Sequence, residues 1–171
     1  MKEKLTYTTG QKVMEILSLA VVVLTALWML ISWSGIPDKI PTHFGFSGEV
    51  DSWGSKSSLL VFLAIEAGVY LLLTMVNRFP KIWNMPVEVT QKNRDFVYRT
   101  TLTMLCVVKL VIVSWFAWIL RVSMAQKNLS GWALPVFLLA LFGPLIYYLV
   151  KCVKGAKLLD AMEESGQDRG A

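Results

Sequence analysis

Residues 13–33 read VMEILSLAVVVLTALWMLISW. A helix needs about 20 apolar residues to cross a hydrocarbon core, and this stretch has that length with one charge, Glu15, near its start. It is longer than the roughly 7–15-residue apolar core of a signal peptide, and no small-x-small cleavage site follows it. A membrane-spanning helix is therefore expected here. Three more stretches have the same character: 59–76 with Glu66, 100–120 with Lys109, and 132–150 with Pro135 and Pro144 but no charge. In lipid every backbone polar group must find an internal partner, so each of the four must be helical. The expected fold class is an all-α membrane protein. It is a four-transmembrane-helix bundle in one integral membrane domain, 1–171, with a short hairpin-like loop between helices 1 and 2.

Composition agrees. The chain has 171 residues, 55% hydrophobic and 17% charged, with mean hydropathy +0.54. Soluble domains carry about a quarter charged residues. The deficit speaks against a soluble enzyme, and the hydrophobicity excludes disorder. Seventeen basic against twelve acidic residues give a net charge of +5. The basic residues flank apolar blocks, which suits a lipid surface better than nucleic acid. Cys106 and Cys152 do not form a disulfide framework and are expected to be reduced.

Basic residues also set the orientation. Twelve lie on one side: Lys2, Lys4 and Lys12; Arg78, Lys81, Lys92, Arg94 and Arg99; Lys151, Lys154, Lys157 and Arg169. The other side holds Lys39, Lys56, Arg121 and Lys127. Both termini are thus expected in the cytoplasm of a plasma-membrane protein. Trp33, Trp115, Trp118 and Trp132 then fall at the outer interface, and Tyr147 and Tyr148 at the inner one.

The outer loop, 34–57, is long for an unstructured connection, so order or function is expected. Pro37 and Pro41 favour extended geometry, and 42–53 reads as a hairpin turning near Ser47-Gly48. If Phe46-Ser47-Gly48 is a three-residue loop, Gly48 takes the left-handed position, Phe44 faces Val50 and His43 faces Asp51. With a two-residue loop His43 faces Ser52 instead. The first register is preferred. His43 then has three readings: a structural hydrogen bond to Asp51, contact with a ligand, or a metal site with Glu49 and Asp51. One histidine and two acids are a thin set for a metal, and no metal or cofactor is expected.

The run Ile36-Pro37, Ile40-Pro41-Thr42-His43-Phe44, Gly48-Glu49, Asp51 and Trp53-Gly54-Ser55-Lys56 resembles the signature of a bacterial membrane domain of unknown function. That domain forms the N-terminal half of the Sdp immunity-protein family. The likeness spans about a third of the chain. It implies a Gram-positive-type plasma-membrane protein whose relatives protect the cell from a secreted peptide toxin. Those relatives also report the toxin by holding a repressor at the membrane. The Gly-x-Arg-Thr-type motif of that family's second half is absent from 77–171. Asn84-Met-Pro-Val-Glu, with Asn93 and Tyr98, resembles short four-span relatives instead.

Glu66 and Lys109 are charges at membrane depth, where a lone charge costs about 2.5–3.5 kcal/mol. They are expected to pair inside the bundle, with Ser18, Thr25 and Ser32 as interhelical hydrogen-bonding groups. A polar path for a proton or ion is the functional alternative. On the inner side, 77–99 mixes aromatics with five basic residues. It is expected to lie on anionic lipid or to dock a cytoplasmic protein, with Thr90 capping a helix that enters span three. The tail is expected to be a short solvated helix with a frayed end.

No phosphate loop, nucleophile–base arrangement or zinc-protease His pair occurs, so binding rather than catalysis is expected. The ligand-binding set is His43, Glu49, Asp51, Trp53 and Lys56, meeting a peptide toxin or envelope ligand. The buried set is Glu66 and Lys109. A small-solute or ion transporter is the alternative function, and a metal-dependent membrane enzyme is a third.

Overall fold

The computed structural model describes residues 6–167, with side chains described to 162. Lys2, Lys4 and Arg169, counted in the charge asymmetry, lie outside these residues, as do the side chains of Glu163 and Glu164. The order of elements is α1 (Thr9–Ser32), a 3-10 turn (Trp33–Gly35), β1 (Lys39–Phe44), β2 (Val50–Ser55), α2 (Ser58–Arg78), a second 3-10 turn (Pro80–Ile82), α3 (Arg94–Met124) and α4 (Ala133–Gln167). All four helices are long and apolar enough to cross a membrane. Leu17, Leu24, Ile31, Leu71, Leu72 and Leu139 are among the large apolar side chains left exposed around them. An apolar perimeter of this extent requires a lipid surround. The chain is a multi-pass membrane protein.

α1 and α4 begin at local signals. Thr8 and Gln11 form a capping box: Thr8 Oγ1 accepts from the Gln11 amide at 3.3 Å, and Gln11 Oε1 accepts from the Thr8 amide at 2.8 Å. Gln11 is itself buried and donates through Nε2 to Thr103 Oγ1 at 2.9 Å, so the cap also anchors α1 to α3. Pro135 sits in the first turn of α4, where its missing N–H costs nothing. The helix runs on through Pro144.

Two helices exceed their expected spans. α3 starts at Arg94 rather than near residue 100, and α4 continues to Gln167 rather than ending near 150. At 1.5 Å per residue, 31 residues of α3 reach about 46 Å, well past a hydrocarbon core of about 30 Å. The projecting turns pack together. Val97, Cys152 and Ala156 are buried with Met85, Val87, Val89 and Phe96 around them. The tail is thus a continuation of α4 rather than a separate helix. Gly155 lies against the Phe96 ring, where any Cβ would collide.

α3 is the central helix, packing on α1, α2 and α4. Ser18 and Thr25 face inward, but each hydroxyl donates to its own helix, to Met14 O and Val21 O at 2.8 Å. They were expected to bond between helices. The carbonyl four residues back lies within the hydroxyl's reach and takes the bond.

At the hairpin end, Met29, Ile36, Ile40, Leu59, Leu120 and Met124 form one buried cluster. It roots the hairpin on the ends of α1, α2 and α3.

Candidate functional site

The hairpin loop is the three-residue one. Gly45 N donates to Glu49 O at 2.8 Å and Gly48 N to Gly45 O at 2.9 Å, while Gly48 takes φ +89°. This is a type I turn closed by a left-handed glycine. Pro41 pairs with Trp53 and Phe44 with Val50, the expected register. Between them the ladder is irregular, and His43 is set opposite Ser52 rather than Asp51. Asp51 is the residue left over in β2, and its side chain turns to His43: Nδ1 and Oδ1 are 2.7 Å apart. A carboxylate only accepts, so Nδ1 carries a hydrogen, and Nε2 has no partner among the described residues.

The other expected ligand residues have different duties. The Ser47 hydroxyl donates to Glu49 Oε2, so Glu49 serves the turn and stands apart from the His43–Asp51 pair. That bond, with the Glu49 backbone amide, holds the exposed carboxyl below its usual range; Asp51 acts weakly the other way. Lys56 turns inward to the root. Its Nζ bonds the carbonyls of Trp33 at 3.3 Å and Ile36 at 3.4 Å, lies 5.3 Å from the centre of the Trp33 ring, and meets Asp38 at 3.8 Å. It closes the end of α1 and fastens the hairpin there. Trp53 is 52% exposed and Phe46, at the tip, 84%.

The connection between α3 and α4 braces the hairpin. Leu129 N donates to Gly48 O at 2.8 Å, Val50 N to Asn128 Oδ1 at 3.0 Å, and Gln126 Nε2 to Lys39 O at 2.7 Å. Beneath the hairpin lies a hollow of about 250 Å³. Thr42, His43 and Phe46 contribute one wall, and Phe62, Trp115 and Leu134 the other. Trp115 is fixed by stacking on Phe137, with ring centres 4.2 Å apart. Among the described residues no three His, Cys, Asp or Glu side chains gather as metal ligands.

The buried pair differs from expectation. Lys109 is fully buried but pairs with Glu15, Nζ to Oε2 at 2.5 Å, and also donates to Thr74 Oγ1 at 3.0 Å. Asn77 Nδ2 at 3.0 Å and Cys106 Sγ at 3.4 Å serve the other oxygen of Glu15. Glu66 is equally buried, and neither of its carboxyl oxygens has a partner among the described residues. The Lys109 stem reaches toward the end where α1 begins, and there Glu15 offers an acceptor. Glu15 was read as an interruption near the start of a span. Its spacing from Gln11, Ser18 and Thr25, all on the buried face of α1, was the available signal.

At the opposite end, the 77–99 segment is clamped to α4. Thr90 and Asn93 bond each other's amides at 3.0 and 3.2 Å, closing the turn ahead of α3, whose N-cap is Asn93 itself and not Thr90. Both also reach Asp160: Thr90 Oγ1 at 2.9 Å and Asn93 Nδ2 at 3.0 Å.

The architecture is that of a four-span membrane protein with a braced hairpin at one end. Residues 20–66, which hold most of α1, the hairpin and the first turns of α2, match the family described as Domain of unknown function (DUF1648). An uncharacterized protein of Archaeoglobus fulgidus is 35% identical over 86 residues, 46% of this chain and 46% of that protein. The chain thus spans about half the length of the curated relative it matches. No solved structure matches it.

Proposed function

We propose that this protein recognises a peptide or other envelope ligand at its hairpin, in the manner of toxin-immunity or signalling proteins of the plasma membrane. The observation that carries the reading is the hollow under the hairpin, with His43 in its wall and its Nε2 without a partner among the described residues. Pockets for whole drug-sized ligands measure roughly 300–1,000 Å³. A hollow of about 250 Å³ suits one anchoring side chain of a larger ligand. Phe46, on the rim of the hollow, offers exposed aromatic surface for the remainder, and Trp53 is exposed elsewhere on β2. Arg78, Arg94, Arg99, Lys151, Lys154 and Lys157 gather at the opposite end, which favours the hairpin outside and both termini inside. A rigid hairpin, held by Lys56, Asn128 and Leu129, meets such a ligand without reordering.

The test is survival of a toxin-sensitive host expressing the chain, challenged with a panel of membrane-active bacterial peptides. Wild type, His43→Ala and Trp115→Ala are compared at equal membrane levels. Protection by wild type that is lost in both variants supports recognition at the hollow. Absence of protection across the panel overturns the immunity reading.

A further inference from the structure

The bundle holds one half-buried carboxyl, Glu15, one fully buried carboxyl, Glu66, and one buried ammonium, Lys109, and among the described residues only Glu15 is paired. Glu15 receives three donors, from Lys109, Asn77 and Cys106, as suits an acceptor-only carboxylate. Glu66 receives none from the described residues, yet it is sealed from solvent. A bare carboxylate at membrane depth is far costlier than the neutral acid. One ammonium can neutralise one carboxylate, and a proton must neutralise the other. We propose that Glu66 and Glu15 form a proton-exchange site around Lys109, a function beyond ligand recognition at the hairpin.

The geometry supplies the path. Lys109 Nζ lies 5.1 Å from the centre of the Tyr70 ring, and Tyr70 is one helical turn from Glu66 on the same face of α2. The ring face is a resting point for a cation between the two carboxyls. In the arrangement seen, Lys109 pairs with ionised Glu15 and Glu66 holds the proton. When the four-carbon stem swings past Tyr70, Lys109 pairs with Glu66. Glu66 then releases its proton and Glu15 takes one up, so the net charge of the set is unchanged.

The two carboxyls open differently. The Glu15 side chain is 19% exposed near the start of α1. Glu66 lies one turn below Phe62, which walls the hollow under the hairpin. Among the described residues, the titratable and charged groups around this interior are Tyr7 just ahead of α1, Glu15 from α1, Glu66, Tyr70 and Arg78 from α2, and Cys106 and Lys109 from α3. α4 packs on α3.

The test uses the full chain in lipid vesicles at neutral pH. Wild type shows the infrared carbonyl band of a protonated carboxyl, shifted in D2O and absent from Glu66→Gln. An imposed pH gradient decays severalfold faster with wild type than in protein-free vesicles. Glu66→Gln and Glu15→Gln each return it to the protein-free rate. A wild type lacking the band, read without any variant, overturns the proposal. So does a band that survives Glu66→Gln, a wild-type decay no faster than in protein-free vesicles, or wild-type decay in either variant.

Discussion

Glu15 Oε2 and Lys109 Nζ, on α1 and α3, stand 2.5 Å apart across 94 positions of sequence. Removing one partner leaves the other charge buried alone, which costs about 3–5 kcal/mol. Lys109→Met is expected to lower stability by that amount, and Glu15→Lys with Lys109→Glu to recover much of it. Denaturant unfolding in lipid or detergent measures both. A double variant no more stable than Lys109→Met would count against the pairing.

Gly48 combines φ +89° with a close neighbour: a Cβ there would come within 2.5 Å of the Leu129 carbonyl oxygen. Left-handed backbone costs an L-residue about 1–2 kcal/mol. Gly48→Ala is expected to cost at least that and to loosen the hairpin from the α3–α4 connection. Faster amide exchange at Leu129 is the readout. Gly35→Ala, with open space around its Cβ, serves as the control.

Asn93 is fully buried and holds Glu88 O and Asp160 together. Asn93→Ala leaves these groups short of a donor, a loss of about 1–3 kcal/mol. The expected sign is earlier proteolytic cleavage within 79–93, with the membrane helices intact. Cleavage at the wild-type rate would contradict the clamp.

The Ser47 hydroxyl, with the backbone amide, holds the Glu49 carboxyl below its ordinary range. A carboxyl depressed in the fold stabilises the turn above its unfolded value and loses that contribution as pH falls through the folded one. Ser47→Ala is expected to raise the Glu49 titration midpoint and to move this loss to higher pH. A carbon-detected NMR titration of Glu49 follows it; an unchanged midpoint would remove Ser47 as the cause.

The four spans were legible because a run of about 20 apolar residues has few alternatives in lipid. Their ends were less so. Beyond the apolar run, α4 continues on Lys151, Lys154 and Lys157 because packing of Cys152 and Ala156 on Val97 extends it, and hydropathy does not register that packing. The hairpin loop was legible from Gly48 and the proline spacing. The irregular ladder at His43 was not, since Thr42 and Asp51 each drop out of the pairing, one from each strand, and the register on either side is unchanged. Lys56 was read as a ligand contact because a lysine in a loop looks solvated. Only the fold shows the Trp33 and Ile36 carbonyls within its reach. Glu66 was paired with Lys109 on depth alone, but depth says nothing of which way a long stem leans.

The separation of Glu15 from Lys109 also bears on how the chain enters the bilayer. During synthesis α1 emerges first, and its counter-charge on α3 follows only after the hairpin and α2 have been made. Until then Glu15 lacks its α3 ammonium, so it must enter the hydrocarbon as the neutral acid or wait among the lipid headgroups. Insertion of the first helix is thus completed by the third, and a ribosome stalled between α2 and α3 would leave α1 shallow in the membrane.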